Sequence, residues 1–378
     1  MATTLRIIVD QMVTPLPNGI SRYAEELTRA LIQTAPKGCT VEGIVSALPP
    51  EKITAIEEAL PGLAELHRTT LPRRELSAAW QLGIVPSFGT GMIHSPSLLA
   101  PLHRHDREFD ATQIVATIHD TLAWTHPKSF TPTSVAWHKA MLKRAKKHAD
   151  AIVVPTHAVA EQLSELADFG DRVRVIPGAV ASGLKLPADA EWRASKLDLP
   201  KDYILAVGSL DPRRGITPLI HGLGDAGAPD LPLLVLGPDT WGELSLAVVA
   251  DEAGLPEDRV RALGYLSDED LAVVLDRASV FVYPSLQEGF GLPLIEAFSF
   301  GTPVVHSDDP ALMEVAGGAG IAVERGKKGY GERLADAVAS VLSDSERAGR
   351  MRIVGQDRAR AFSWRDSAER VWALHADL

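Results

Sequence analysis

In QEGFGLPLIEAFSFGTPVV, residues 287–305, two carboxylates, Glu288 and Glu296, flank a loop that carries Gly289 and Gly291. Pro293 is placed to open a helix, where its missing N–H costs nothing. The glycines let the backbone approach a ligand, and a helix N-terminus offers unpaired N–H groups that favour phosphate. A bare carboxylate beside a diphosphate is repelled by about 1 kcal/mol at 4 Å in water, and by more in a drier site. Each acid therefore needs hydrogen-bond donors from the same ligand, and sugar hydroxyls supply them. A nucleoside diphosphate sugar meets every requirement, with a diphosphate for the backbone and a hexose and a ribose on either side for the acids. The alternative is a surface-loop glutamate and a first-turn glutamate favoured by the helix dipole, common placements for either residue alone; the complete constellation favours a ligand.

A second strand-loop-helix follows the same logic. YILAVGSLDPRRGITPLI, residues 203–220, has a strand, a turn with Gly208 and Gly215, and Thr217–Pro218 as the expected cap and first helical residue. Arg213 and Arg214 sit in that turn, where guanidinium groups can grip a diphosphate through paired hydrogen bonds. Two arginines in a turn are usually solvated, so PRRG gains meaning only beside the first loop.

These loops must be positioned by a framework, and short β-branched runs alternate with amphipathic stretches throughout the chain, as parallel sheets covered by helices require. The first half offers strands at 5–9, 41–45, 113–118, 151–154 and 172–176, with Ile20, Ala24, Leu27 and Leu31 on one helical face between the first two. The second half offers strands at 203–207, 232–236, 259–263, 279–283 and 303–306. Residues 178–201 break the rhythm with Gly, Pro, Ala and Lys. The expected organisation is an N-terminal Rossmann-like domain over 1–178, a linker over 179–201 and a C-terminal Rossmann-like domain over 202–361. Terminal helices are expected at 344–361 and 366–376, with FSW at 362–364 as the break and the segment 362–378 packing back on the first domain.

A chain of 378 residues is long for one core and comfortable for two. Its net charge of -11 argues against a duplex nucleic-acid binder, which needs a cationic surface, so any anion site must be local. The single cysteine, Cys39, excludes an intrachain disulfide. No secretory signal is expected from MATTLRIIVDQMV, and the uncharged run 82–102 is too broken by Gly and Pro for a spanning helix. A cytoplasmic protein is expected. The basic run KRAKKH, 143–148, offers a peripheral contact with anionic lipid, but reads better as a solvated helix end that complements the dipole. HRHD, 103–106, lacks a complementary ligand set and reads as a polar loop, so no metal and no cofactor are expected.

The segment PSLQEGFGLPLIEAFSFGTPVVHSD resembles the E-x7-E region of retaining family 4 glycosyltransferases, which have the two-Rossmann GT-B fold with parallel sheets facing across a cleft. The resemblance extends through NGISRYAEEL (18–27), MIHSPSLLAP (92–101), TIHDTLAWTHP (117–127), VVPTHAVAEQL (153–163), RVIPGAV (174–180) and VGSLDPRRGI (207–216). It implies that Glu288 contacts hexose hydroxyls and Glu296 ribose hydroxyls, with the amides of Gly289, Phe290, Gly291 and Leu292 facing sugar and diphosphate. Arg214 takes the place of the lysine that usually holds the diphosphate. Ser209 stands where relatives often have a further arginine, a departure for which Arg213 is the candidate compensation. By position, Tyr265 and Leu266 are base contacts. His119 matches a cleft histidine near the transferred carbon, with Asp120 as its orienting partner. Gly19 matches a loop that approaches phosphate or acceptor, and Arg22 and Tyr23 face the cleft by analogy.

The implied activity is retaining transfer of a hexose from a nucleoside diphosphate sugar to a saccharide or lipid-linked acceptor. The N-terminal segments resemble bacterial polysaccharide mannosyltransferases, which makes GDP-mannose the leading donor, with a UDP-sugar as the alternative. Front-face transfer is favoured over double displacement, because Glu288 and Glu296 serve different sugars. The competing readings are a non-catalytic nucleotide-sugar binder and a GT-B phosphorylase. An NAD-dependent dehydrogenase is disfavoured, since DQMVTPLPNG lacks a compact G-x-G-x-x-G turn after the first strand.

Overall fold

The computed structural model describes residues 3–14, 18–85 and 91–378. Residues 86–90, in the middle of the uncharged run, lie outside the described residues, as do Met1 and Ala2 of the opening segment and 15–17 of the first loop. The chain divides into two compact units, Met1–Gly178 with Ser363–Leu378, and Ala179–Phe362.

The first unit carries β1 (Thr3–Ile8), β2 (Cys39–Val45), β3 (Leu66–Arg68), β4 (Met92–Ser95), β5 (Gln113–Thr117), β6 (Ala151–Val154) and β7 (Val173–Val175). Among the described residues they form one seven-stranded sheet in the order 3-2-1-4-5-6-7, and every pair is parallel. β6 is buried along its whole length and β5 from Ile114 onward, as sheets covered on both faces demand. Ala24, Leu27 and Leu31 of the helix Gly19–Gln33 are fully buried. The terminal helix Trp364–Asp377 lies against that helix, with Trp372 Nε1 donating to the Leu31 carbonyl at 3.2 Å and Trp364 edge-on to Tyr23 at 5.5 Å.

The second unit carries β8 (Ile204–Val207), β9 (Leu233–Leu236), a small hairpin of β10 (Thr240–Trp241) and β11 (Leu244–Ser245), β12 (Val260–Gly264), β13 (Val280–Tyr283), β14 (Val304–Ser307) and β15 (Ile321–Val323). Its main sheet is parallel, in the order 12-9-8-13-14-15. Residues 179–201, expected as a linker, fold onto this unit. Ala181, Leu184 and Ala194 are buried, and Arg193 of the helix Ala190–Lys196 pairs with Asp270 at 2.8 Å. The Pro and Gly residues break secondary structure there without freeing the segment from the core.

Strand order reverses direction between β1 and β4 in one unit and between β8 and β13 in the other. In open parallel sheets ligands gather outside the carboxyl ends of strands at such switch points. The turn with Arg213 and Arg214 follows β8, and the loop with Glu288 follows β13. Both therefore emerge at one switch point.

Candidate functional site

The loop after β8 is braced before it reaches any ligand. Ser209 Oγ accepts from Asp211 N at 3.3 Å, and the buried Asp211 carboxylate accepts from Arg213 N and Arg213 Nε at 3.1 and 2.9 Å. Arg213 is thus anchored to Asp211 within its own turn through Nε, while its Nη1 is buried with no hydrogen-bond partner among the described residues. Gly215 then enters the helix Ile216–Leu223 at φ +69°, where a Cβ would lie 2.0 Å from the Pro284 carbonyl oxygen. The cap is Gly215, two residues before the expected Thr217, because only glycine allows this left-handed turn so close to the neighbouring loop.

The β8 and β13 loops are tied together by Leu286 N donating to the Arg213 carbonyl at 2.7 Å. Arg214 reaches across and donates from Nη1 to Glu288 Oε1, which also accepts from Ser285 Oγ at 2.6 Å. Tyr330 Oη holds the Pro284 carbonyl at 2.8 Å, and Ser307 Oγ holds that of Ser285. Gly291, at φ +92°, caps the helix Leu292–Ser299, so Pro293 is the second helical residue where the first was expected. Among the described residues no acceptor faces the backbone N–H of Phe290, Gly291 or Leu292. Phe290 is buried edge-on against Phe362 at 5.4 Å, which fixes this end of the loop in the core.

Glu296 lies on the same helix, about one turn beyond Leu292, and is 5 % exposed. Both acids act on Tyr283. Burial first, and then the Glu288 carboxylate with a smaller effect of Glu296, holds the Tyr283 phenol protonated well above its ordinary pKa. Asp309 lies close enough to Glu288 to be raised by its charge, but burial is the main cause, and its pKa reaches about 6. Arg325 Nη2 stands 3.9 Å from Asp309. Tyr265 is exposed and Leu266 half-buried, in the loop after the edge strand β12.

In the first unit, His119 follows β5 and its Nε2 bonds the carbonyl of Pro96, which follows β4, at 2.7 Å. A carbonyl only accepts, so Nε2 carries the proton and Nδ1 is the acceptor of the neutral ring. Burial pulls the His119 pKa below its ordinary value, against the raising effects of Pro96 and Asp120. Asp120 was expected to orient this ring; its Oδ1 instead accepts from Leu122 N at 2.9 Å and closes the turn. The ring is oriented by Pro96 and by Tyr23, edge-on at 4.7 Å. Gly19 opens its helix in an exposed position, where Asn18 Oδ1 already accepts from Ile20 N and Ser21 N. Arg22 is half-buried on the same helix. In HRHD, His103 Nδ1 donates to the Pro101 carbonyl, His105 Nε2 bonds Asp150, and Asp106 caps a short helix.

Ser285, Tyr283 and Asp309 were not among the expected site residues. Ser285, three positions before Glu288, carried a local signal, but the other two depend on the pairing of β13 with β14.

Comparison with known proteins decides the family. Residues 17–182 match the profile of Glycosyltransferase Family 4, and residues 189–358 that of Glycosyl transferases group 1. The chain belongs to this glycosyltransferase family. It is 29% identical over 324 residues to the O-antigen chain mannosyltransferase B of Escherichia coli, covering 83% of this chain and 80% of that protein. It is 26% identical to the MMP alpha-(1->4)-mannosyltransferase of Mycolicibacterium hassiacum, over 76% of this chain and 68% of the relative. Among solved structures, the glycosyltransferase resembles sucrose-phosphate synthase from Thermosynechococcus elongatus, with a TM-score of 0.71 at 23% identity and 100% and 99% of the two chains covered. It also resembles the Anabaena protein HepE, solved with UDP-glucose, with a TM-score of 0.73 at 17% identity and coverage of 99% and 100%. These likenesses fix the fold as GT-B, two parallel-sheet α/β domains. No helix among the described residues is long and apolar enough to cross a membrane.

Proposed function

We propose that this glycosyltransferase transfers a hexose, with mannose as the leading assignment, from a nucleoside diphosphate sugar to a saccharide or lipid-linked acceptor, with retention at the anomeric carbon. The observation that carries the reading is the meeting of Arg214 with Glu288 beside a helix N-terminus whose Phe290, Gly291 and Leu292 N–H groups face no acceptor among the described residues. In this reading the diphosphate takes those amides and Arg214. Glu288 turns to the hexose hydroxyls, Glu296 accepts from the ribose, and the backbone at Tyr265 and Leu266 meets the base. Relatives named as mannosyltransferases favour mannose, and a structural neighbour bound to UDP-glucose supports a nucleotide sugar. GDP-mannose is the leading donor and a UDP-sugar the alternative.

As the anomeric C–O bond breaks, negative charge gathers on the departing diphosphate. Arg214 and the amides are fixed before reaction, and such preorganised donors supply a large share of catalysis. No metal is needed for that charge. On the front-face path the leaving phosphate oxygen accepts the proton of the acceptor hydroxyl while the new glycosidic bond forms on the face that the diphosphate leaves. His119 is neutral at pH 7 in this reading, so Nδ1 accepts a hydrogen bond from a sugar hydroxyl and does not act as a general acid. Gly19 and Arg22 contribute to acceptor or phosphate contacts. The reaction belongs in the cytoplasm, at the inner face of a membrane when the acceptor is lipid-linked.

A thermal-shift series over GDP-mannose and UDP-sugars tests this reading. A donor at about 100 times its Kd adds about 2.7 kcal/mol to apparent stability. Turnover with the stabilising donor then releases nucleoside diphosphate and gives a product whose anomeric configuration matches the donor. The reading fails if no nucleotide sugar is bound or consumed; sugar 1-phosphate formed from free phosphate identifies a phosphorylase instead.

A further inference from the structure

Two basic segments remain outside this chemistry, HRHD at 103–106 and KRAKKH at 143–148. They are about forty residues apart in the chain, yet they line one cavity of about 950 Å³ within the first unit, together with Arg172 and Arg174. Asp150 and Arg172 stand beside the starts of β6 and β7, so the cavity opens at the amino ends of these strands, away from the carboxyl ends that carry His119. Six arginine and lysine side chains line it against three aspartates, in a protein whose net charge is -11.

Some of these cations have structural duties. Arg172 Nη1 and Nη2 hold the Ala149 and Lys146 carbonyls at 2.7 and 2.9 Å, and Arg144 Nε holds that of Leu102 at 2.9 Å. Asp150 is consumed by Ile114 N, His105 and Arg107. Arg104 and Lys147 are exposed at the rim. The ring of His148 senses the result. Burial first, then the charges of Arg144, Lys147, His105 and His103, holds this imidazole below its ordinary pKa. Leu82, which lines the cavity, is 73 % exposed, and Ile84 and Phe109 nearby in the chain are exposed as well.

We infer that this cavity is an anion site for a phosphate-bearing group, built from HRHD and KRAKKH and separate from the donor loops of the second unit. Arg104, Lys147 and the protonated His148 donate to the phosphate oxygens, while Arg144 and Arg172 supply fixed positive charge from the wall. The group is either a soluble phosphate or the headgroup of an anionic lipid, whose chains the exposed Leu82, Ile84 and Phe109 would meet.

The test uses the full chain at low salt, with inorganic pyrophosphate as one probe and phosphatidylglycerol vesicles as the other. The His148 imidazole resonance, assigned by its loss in His148→Gln, is followed through a pH titration with and without pyrophosphate. A bound anion raises its midpoint. The double variant Arg104→Glu/Lys147→Glu removes two charge-assisted contacts and weakens binding by about tenfold or more. A matched reversal on the second unit, Lys185→Glu/Lys201→Glu, leaves binding unchanged and controls for net charge. A pyrophosphate response lost in the first variant assigns a soluble phosphate site, and vesicle flotation lost in the same variant assigns a lipid headgroup. The inference is overturned if neither probe binds, or if both variants bind as the parent does.

Discussion

The two units place their buried ionisable groups differently. In the first, burial keeps a cluster of histidines neutral. His94 is driven down to about pKa 3 by burial alone, and His375 falls well below its ordinary value through burial and the neighbouring His94. The two rings meet at 3.4 Å and join the terminal helix to β4. In the second unit the switch point gathers carboxylates instead, with Glu288 and Glu296 acting on Tyr283, Asp309 within reach of the Glu288 charge, and Arg214 and Arg325 brought to them. His306 is the second unit's counterpart of the first pattern, kept neutral by burial beneath the Ser307 carbonyl. Neutral rings suffice to seal a sheet, whereas ionised groups are retained at a cost that a charged, hydroxyl-rich ligand can offset.

The largest expected effect breaks the charged side of this contrast. Arg214→Ala should lower kcat by about 10²- to 10³-fold, the loss seen when one fixed donor to developing charge is removed. Arg214→Lys keeps the charge but loses the fork, and should recover only part of the activity. Thermal unfolding of both variants should stay near that of the parent, because the pair is partly exposed. Equal activity in the alanine variant would remove Arg214 from the mechanism.

Acid tests the neutral side. A histidine whose folded pKa is lowered binds more protons when unfolded, so its contribution to stability is complete above about pH 6.5 and is lost as pH falls towards the folded value. For His94, at about 3 in the fold, the loss is about 2 kcal/mol at pH 5. His375 and His119 add losses of the same sign. The urea midpoint of the first unit should fall between pH 6.5 and 5, and His94→Asn should flatten that slope. An unchanged midpoint over this range would mean that these rings are not buried neutral.

The two acids of the opening motif separate next. Glu296→Ala should weaken nucleoside diphosphate binding by about tenfold, the worth of one hydrogen-bonded charged group. Glu288→Ala should leave nucleoside diphosphate affinity nearly unchanged and weaken the intact sugar nucleotide, since its proposed contact is the hexose. Calorimetry with both ligands checks the split. Equal losses for both variants would return the acids to a single undivided role.

The strands on either side of the second switch point were legible because 204–207 and 280–283 are continuous apolar runs, and Glu288 and Glu296 were legible because their spacing is local. β3, β4 and β15 were missed, since Leu66–Arg68, Met92–Ser95 and Ile321–Val323 are short and two of them contain polar residues. The helix starts at 216 and 292 slipped because Pro218 and Pro293 announce a helix without fixing its first residue, whereas Gly215 and Gly291 fix it through left-handed backbone. The 179–201 segment reads as a linker because its Pro and Gly are visible and its packing partners, such as Asp270, are far along the chain. The pairing of Arg214 with Glu288 requires loops from two strands to be superposed, which periodicity does not supply.

Asp309 gives the smallest effect and the clearest sign. Its pKa is raised to about 6 chiefly by burial, so the fold binds the proton more tightly than the unfolded chain does, and this group's contribution falls as pH rises from about 4 to 6. That slope opposes the histidine slope of the other unit. Oδ1 caps the helix Pro310–Ala316 by accepting from Ala311 N and Leu312 N at 3.0 and 3.2 Å, a role that an amide oxygen can keep. Oδ2 is buried with no hydrogen-bond partner among the described residues, so an amide nitrogen there would be unsatisfied and would face Arg325. Relief of the buried charge and the cost of the orphaned N–H nearly cancel. Asp309→Asn should therefore change stability at pH 7 by less than about 1 kcal/mol. The same substitution should abolish the opposing slope between pH 4 and 6, read from urea midpoints of the second unit. A slope that survives it would place the titrating group elsewhere in that unit.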